Sequence, residues 1–195
     1  MLRTSMTQRT RLFGLSGSLR HRSFNSALLR TAVELMPPDS ELIEGSIRGI
    51  PLYDGDIEAA DGVPPIVAEM KEAIVAADGV LLVTPEYNNS IPGVFKNAID
   101  WLSRPSADIK RVFGDRPFAI TGASPGNFGT TSSQTAWLPV MRTLGVRQWF
   151  GGRLMIARAA TVFDDGGVMI DEASREHLRQ FLAGFVAFVR ERPRR

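Results

Sequence analysis

Four apolar residues in succession, Val80-Leu81-Leu82-Val83, stand between the turn signal Asp78-Gly79 and the polar run Thr84-Pro85-Glu86-Tyr87-Asn88. A short segment that is apolar on both alternating faces fits a strand covered on both sides, the environment of a parallel sheet. Helices must then lie on either side of it in the chain, because parallel neighbours are joined by long crossovers. The flanking residues supply them. Pro64-Pro65 opens a helical pattern with an inner stripe at Ile66, Met70, Ile74 and Ala77, and a second pattern runs through Val94, Phe95, Ala98, Ile99, Trp101 and Leu102.

The same alternation continues in both directions. Arg11-Leu12-Phe13 reads as a strand, and the helix after it carries Ala27, Leu28, Leu29, Ala32, Val33 and Met36 before Pro37-Pro38-Asp39 ends it. Ser40 to Ile47 reads as the second strand, and Ile50 to Asp56 as a turn-rich loop. Beyond Trp101, Pro117 to Ile120 is a strand, and Leu138, Met141 and Leu144 mark a helix. Trp149-Phe150-Gly151-Gly152 with Leu154 to Ala157 supplies the last strand. From Asp171 a helix carries Leu178, Phe181, Leu182, Phe185 and Phe188-Val189. Strands and helices in this order predict right-handed βαβ units and a doubly wound α/β fold. With five strands and a polar turn after the first, the expected architecture is flavodoxin-like: a five-stranded parallel sheet, order 2-1-3-4-5, with helices on both faces.

At 195 residues with 44% apolar content the chain has enough core for one domain. The expected organisation is a disordered tail over 1–9, one domain over 10–190 and a basic tail over 191–195. The 23 basic and 21 acidic side chains leave a net charge of +2, and arginines at 3, 9, 11, 190, 192, 194 and 195 hold much of the basic excess. The body between the tails is near neutral and has no basic, aromatic-studded face, so no nucleic-acid partner is expected. The chain has no cysteine, which excludes disulfides, thiolate metal sites and a cysteine nucleophile. His21 and His177 lack partners at metal-ligand spacing, so no metal site is expected. The first residues lack a signal-peptide core and no apolar run reaches the roughly 20 residues of a membrane span. No membrane association and a cytoplasmic location are therefore expected.

Gly14-Leu15-Ser16-Gly17-Ser18-Leu19-Arg20-His21-Arg22-Ser23-Phe24-Asn25 joins the first strand to the first helix. A turn there aims backbone N–H groups and the positive end of the helix dipole at one point, where an anion gains from both. Ser16, Ser18, Ser23 and Asn25 add hydrogen-bonding side chains, and Arg20 adds a planar cation suited to phosphate oxygens. The stretch reads as a phosphate cradle, although Ser and Asn also serve as plain helix caps. The third glycine of G-x-G-x-x-G and the Gly-Lys-Ser/Thr ending of a P-loop are both absent, which argues against a dinucleotide pyrophosphate or a nucleoside triphosphate. Two more polar loops, Thr84 to Gly93 and Thr121 to Thr130, follow the third and fourth strands and would meet the first at the same sheet edge.

Three motifs carry a resemblance: Gly17-Ser18-Leu19-Arg20-x-x-Ser23-x-Asn25; Thr84-Pro85-Glu86-Tyr87-Asn88 with Ser90-x-Pro92-Gly93-x-x-Lys96-Asn97-Ala98-Ile99-Asp100-Trp101; and Ser124-Pro125-Gly126. From about Arg11 to the final helix the chain resembles the NADPH-dependent FMN reductase family, in particular its bacterial quinone and chromate reductase branch. The resemblance implies that Ser18, Arg20, Ser23 and Asn25 hold the FMN phosphate, with Ser16, Leu19, Phe24 and Ser26 as further contacts in the same loop. Pro85, Glu86, Tyr87 and Asn88 would follow the isoalloxazine ring and ribityl chain, and Ser124 and Gly126 would close the far side. Asn97 and Trp101 read as helix or interface residues outside the site. An arginine common in that branch just after the third loop is missing from Gly129 to Gln134.

The implied activity is hydride transfer from NADPH or NADH to bound FMN, then to a quinone, flavin, azo or metal-oxyanion acceptor. The flavin carries the chemistry, so no catalytic acid or nucleophile is assigned. A supplier of diffusible reduced FMN, a flavodoxin-like electron carrier without nicotinamide turnover and a nucleotide-binding scaffold are the alternatives. The large residues near Phe95, Ile99, Trp101, Leu102 and Trp149-Phe150 suggest a homodimer or homotetramer.

Overall fold

A computed structural model describes residues 9–191. Along the chain lie β1 (Thr10–Ser16), α1 (Phe24–Glu34), β2 (Ser40–Gly45), α2 (Gly55–Asp61), α3 (Pro65–Ala76), β3 (Gly79–Val83) and α4 (Gly93–Leu102). A 3-10 turn at Ser106–Asp108 leads to α5 (Ile109–Val112), β4 (Pro117–Ala123), α6 (Thr131–Leu144), β5 (Arg147–Gln148), β6 (Met155–Ile156), α7 (Ala159–Val162) and α8 (Glu172–Arg190). The sheet is parallel throughout, with order β2-β1-β3-β4-β5 and β6 also on β4.

Alternating side chains divide the core into two layers. Leu12, Leu81, Val83 and Ala119 face α1 and α8, where Leu28, Leu29, Leu178, Leu182 and Phe185 are buried. Phe13, Leu15, Val80, Leu82, Phe118 and Ile120 face α3, α4 and α6, where Ile74, Phe95, Trp101, Trp137 and Met141 are buried. All five residues of β3 are buried, as its continuous apolarity demands.

The structure departs from the expected elements at four places. The last strand is split: β5 pairs with Pro117–Phe118, β6 pairs with Gly122–Ala123, and Trp149 to Arg153 loop away between them. The Trp149 indole causes the detour, since Gly151, Gly152 and Gly184 lie so close to it that a Cβ at any of them would come within 3.0 Å of the ring. Residues 55–61 are helical, because the Asp54 carboxylate caps the turn through Asp56 N–H. The buried stripe of α3 begins at Val67, with Ile66 only half-buried, and it includes Lys71, whose ammonium donates to the Arg104 carbonyl and pairs with Asp108 at 3.0 Å. On α6 the inward residue is Trp137, while Leu138 is 40% exposed.

Two further expectations also change. Phe95, Ile99, Trp101 and Leu102 are core residues, and Phe150 is the exposed large side chain near β5. The expected tails lie outside the described residues apart from Arg9, which pairs with Glu41, and Glu191, whose N–H reaches Ala187.

Candidate functional site

The C-terminal ends of β1, β3 and β4 are adjacent in the sheet, so the loops that leave them share one rim. The first loop is pressed onto the sheet at Gly17. Its N–H donates to the Val83 carbonyl at 2.9 Å, and a Cβ there would lie 2.2 Å from the Phe95 ring. Arg48 ties the Leu19 carbonyl down from the side. The loop enters α1 through Ser23, whose Oγ accepts the N–H groups of Asn25 and Ser26 at 3.2 Å each. Ser18 Oγ accepts Arg20 N–H in the same way. Both hydroxyl protons remain free for an outside acceptor.

Asn25 fastens the first loop to the neighbouring strand. Its side-chain Nδ2 donates to the Ala123 carbonyl at 2.8 Å and its Oδ1 accepts Ala123 N–H at 2.9 Å. With its backbone N–H on Ser23, Asn25 joins α1 to the end of β4 and also lines the cleft between the loops. Ser16 and Ser26 lie beneath the loop, paired through their hydroxyls at 3.1 Å.

The second loop is fastened to α6. Thr84 Oγ1 donates to the Pro85 carbonyl, accepts Trp137 Nε1–H at 3.1 Å and meets Ser133 Oγ at 2.9 Å. The Glu86 carboxylate accepts Ser133 N–H at 3.0 Å in the first turn of α6, where the helix dipole favours an anion. Tyr87 and Ser90 exchange backbone hydrogen bonds around Asn88 (φ 49°) and Asn89 (φ 57°), a two-residue turn of the type that asparagine tolerates. The Tyr87 ring is left 43% exposed.

The third loop is held by the segment after β6. Ser124 N–H donates to Ile156, and its carbonyl receives Ala159 N–H, while Arg158 N–H reaches the Gly126 carbonyl. Ser124 Oγ accepts Gly126 N–H at 3.2 Å and keeps its own proton free.

Between the loops lies a solvent-open cleft with an empty volume of about 340 Å³. It brings together Ser18, Arg20, Ser23, Phe24, Asn25, Pro85, Glu86, Tyr87 and Ser124, and adds Ala123 and Pro125, which have no polar side chain to mark them in a sequence. Ser16, Leu19, Ser26, Asn88 and Gly126 do not line it. Leu19 instead packs on the layer that holds Phe95.

The donor set suits a phosphomonoester. Two serine hydroxyls and a guanidinium stand at the start of α1, whose first turn contains no acidic residue. The one carboxylate of the lining, Glu86, is drawn onto α6. Among the described residues no group of His, Cys, Asp and Glu could hold a metal ion, and no helix is long and apolar enough to cross a membrane.

Residues 10–161 match the family model of NADPH-dependent FMN reductase. The chain belongs to this family. It is 42% identical over 185 residues to a Pseudomonas aeruginosa protein named NAD(P)H-dependent FMN reductase, covering 95% of this chain and 98% of that one. It is also 35% identical over 191 residues to a quinone reductase of Escherichia coli K12, covering 94% and 97%. Among solved structures it is similar to FerB of Paracoccus denitrificans, a flavoenzyme NAD(P)H:(acceptor) oxidoreductase. The TM-score is 0.81 at 30% identity, with 92% of this chain and 97% of that chain covered. The sheet order β2-β1-β3-β4-β5 expected from the sequence is the one this chain adopts.

Asn97 and Trp101, set outside the site at the sequence level, are accounted for as structural residues. Asn97 Oδ1 accepts Tyr53 N–H, and Asn97 Nδ2 and Trp101 Nε1 both donate to the Pro51 carbonyl, so α4 clamps the loop before α2. Arg104 hydrogen-bonds Glu58 and holds its carboxyl below the usual range, and the bond from Tyr53 to Glu58 raises the Tyr53 phenol.

Proposed function

We propose that this protein holds FMN in the cleft at the sheet rim and passes hydride from NADPH or NADH through it to a small-molecule acceptor such as a quinone. The observation that carries the reading is the meeting of three separately anchored loops at the C-terminal ends of β1, β3 and β4, where flavodoxin-like sheets bind ligands. Ser18, Ser23 and Arg20 take the phosphate, with two hydroxyl protons and a guanidinium that pairs with no carboxylate among the described residues. Phe24 walls the cradle, and Asn25 supports it from below through Ala123. Ser16, Leu19 and Ser26 shape the loop without facing the ligand.

The backbone of Pro85, Glu86 and Tyr87 would follow the ring, with Ser124 at its far side, while Asn88 and Gly126 shape their loops from outside the cleft lining. FMN supplies the redox chemistry, taking hydride from the dihydronicotinamide and yielding it to the acceptor. The protein's part is to orient and to set charge. N–H donors on fixed loops favour the negative charge that reduction brings to the ring, and binding Glu86 to Ser133 N–H keeps that carboxylate from opposing it. No side chain acts as acid, base or nucleophile.

A single FMN-binding domain over residues 10–190 and a cytoplasmic location with its supply of reduced nicotinamides fit this activity. The large exposed side chains Phe128 and Phe150, 84% and 71% exposed, support a homodimer or homotetramer. The quinone acceptor is supported by the similarity to the Escherichia coli quinone reductase.

Purified protein titrated with FMN quenches flavin fluorescence to one equivalent per chain, and under anaerobic conditions the loaded protein oxidises one equivalent of NADPH or NADH by itself and turns over continuously once a quinone is supplied. A chain that leaves FMN fluorescence unchanged overturns the reading.

A further inference from the structure

A second cleft opens beside the cradle and shares Arg20, Ser23 and Phe24 with it. It opens to solvent, and its other wall is the turn Asp164 to Gly167 that follows α7. That turn is well fixed. Asp164 exchanges backbone hydrogen bonds with Gly167 and Val168, its carboxylate accepts Val168 N–H at 2.8 Å, and Phe163 beneath it stacks on Phe24 with ring centroids 5.9 Å apart. Gly167 has φ +80°, and a Cβ there would come within 3.0 Å of the Arg30 guanidinium, so the turn stays bare where it faces that side chain.

The charge in this cleft is unbalanced. Arg22 and Arg30 join Arg20 in the lining, and among the described residues none of the three pairs with a carboxylate. Opposite them stand Asp164, committed to its own turn, and Asp165. Unpaired guanidiniums in a concave site suit a phosphate carried on a nucleoside, which they grip with paired N–H donors.

We propose that this cleft takes the 2′-phosphoadenosine end of NADPH, with Arg22 and Arg30 on the 2′-phosphate, and that it makes the protein selective for NADPH over NADH. The proposal rests on the reading of the neighbouring cleft as the FMN site. Arg20 serves the cofactor phosphate on one side of Phe24, and Arg22 and Arg30 are left for a second anion on the other. NADH has no group for them.

The test compares FMN-loaded wild type with a variant carrying Arg22→Ala and Arg30→Ala. Neither residue belongs to the FMN cradle, so FMN stoichiometry stays unchanged and reports an intact fold. Wild type binds 2′,5′-ADP at least about tenfold tighter than 5′-AMP by calorimetry, and the double variant loses that margin, as expected from removing charge-assisted hydrogen bonds. In turnover the KM for NADPH rises by about tenfold or more, while kcat and the KM for NADH hold.

Equal 2′,5′-ADP affinity in wild type and variant overturns the proposal. So does an NADPH KM equal to that for NADH in wild type, or displacement of 2′,5′-ADP by an equal concentration of inorganic phosphate. If the double variant loses FMN, the single variant Arg22→Gln carries the same comparison. A protein that binds no FMN defeats the reading of the adjoining cleft, and the 2′,5′-ADP titration of wild type and variant still decides this one.

Discussion

The Ser23 oxygen accepts two backbone N–H groups and so caps α1, which leaves its proton as the part available to a ligand. Capping and phosphate binding can therefore be separated by substitution. Ser23→Asp keeps an N-cap acceptor but places a negative charge in the cradle, so the unfolding midpoint stays within a few degrees of wild type while the Kd for FMN rises by about 100-fold or more. Thermal unfolding together with fluorescence titration checks both halves.

A second residue-level prediction concerns acid stability. The Asp108 carboxyl is held well below the usual carboxylate range, first by Arg111 and then by Lys71. Its folded value is lower than its unfolded one, so its contribution is present above the unfolded pKa and is lost as pH falls, between about pH 5 and 2. Asp108→Asn flattens that part of the stability profile. At pH 7 it costs about 3 kcal/mol, because Lys71, buried to 3% exposure, loses its counter-charge. Urea unfolding across the pH range measures both effects.

Elements meet most tightly where β3 and β4 deliver their loops. A Cβ on Gly122 would lie 2.0 Å from the Thr84 carbonyl oxygen, a backbone atom that Thr84 N–H to Thr121 already holds in place. Gly122→Ala forces the strand ends apart at the point from which two of the three loops start. The expected result is a loss of about 3 kcal/mol in urea unfolding and a protein that no longer retains FMN through gel filtration. The sequence places Gly122 in the third loop, and the fold extends β4 through it.

Misassignments at this scale have identifiable causes. Trp137 and Leu138 are equally apolar neighbours, and the choice falls to Trp137 because its Nε1–H finds Thr84 and its ring meets Phe95 edge-on at 5.2 Å. Nothing within one helix records either partner. The split between β5 and β6 is likewise set by the Trp149 indole, which packs against Gly184 on α8, 35 residues further along the chain.

For the whole molecule, ligand binding and stability are linked. If the cradle binds FMN through its phosphate, FMN at 100 times its Kd adds about 2.7 kcal/mol and raises the unfolding midpoint by about 5–10 °C. Riboflavin at the same concentration, lacking the phosphate, produces a shift of less than about a third of that. Differential scanning fluorimetry with both ligands distinguishes the two.

Local chemistry determined the strand-and-helix alternation and the three polar turns, because each depends on periodicity and turn residues that are contiguous in the chain, and the sheet order followed from that alternation through the rules of doubly wound folds. Side-chain assignments within those turns needed the tertiary structure. Asn25 is spent on Ala123, 98 residues away, and Glu86 on Ser133, 47 residues away. Arg22 and Arg30 face the Asp164 turn across a cleft that no local pattern encodes. A hydrogen-bonding group looks the same in sequence whether its partner is a ligand or a distant backbone amide, and only folding shows which of the two it meets.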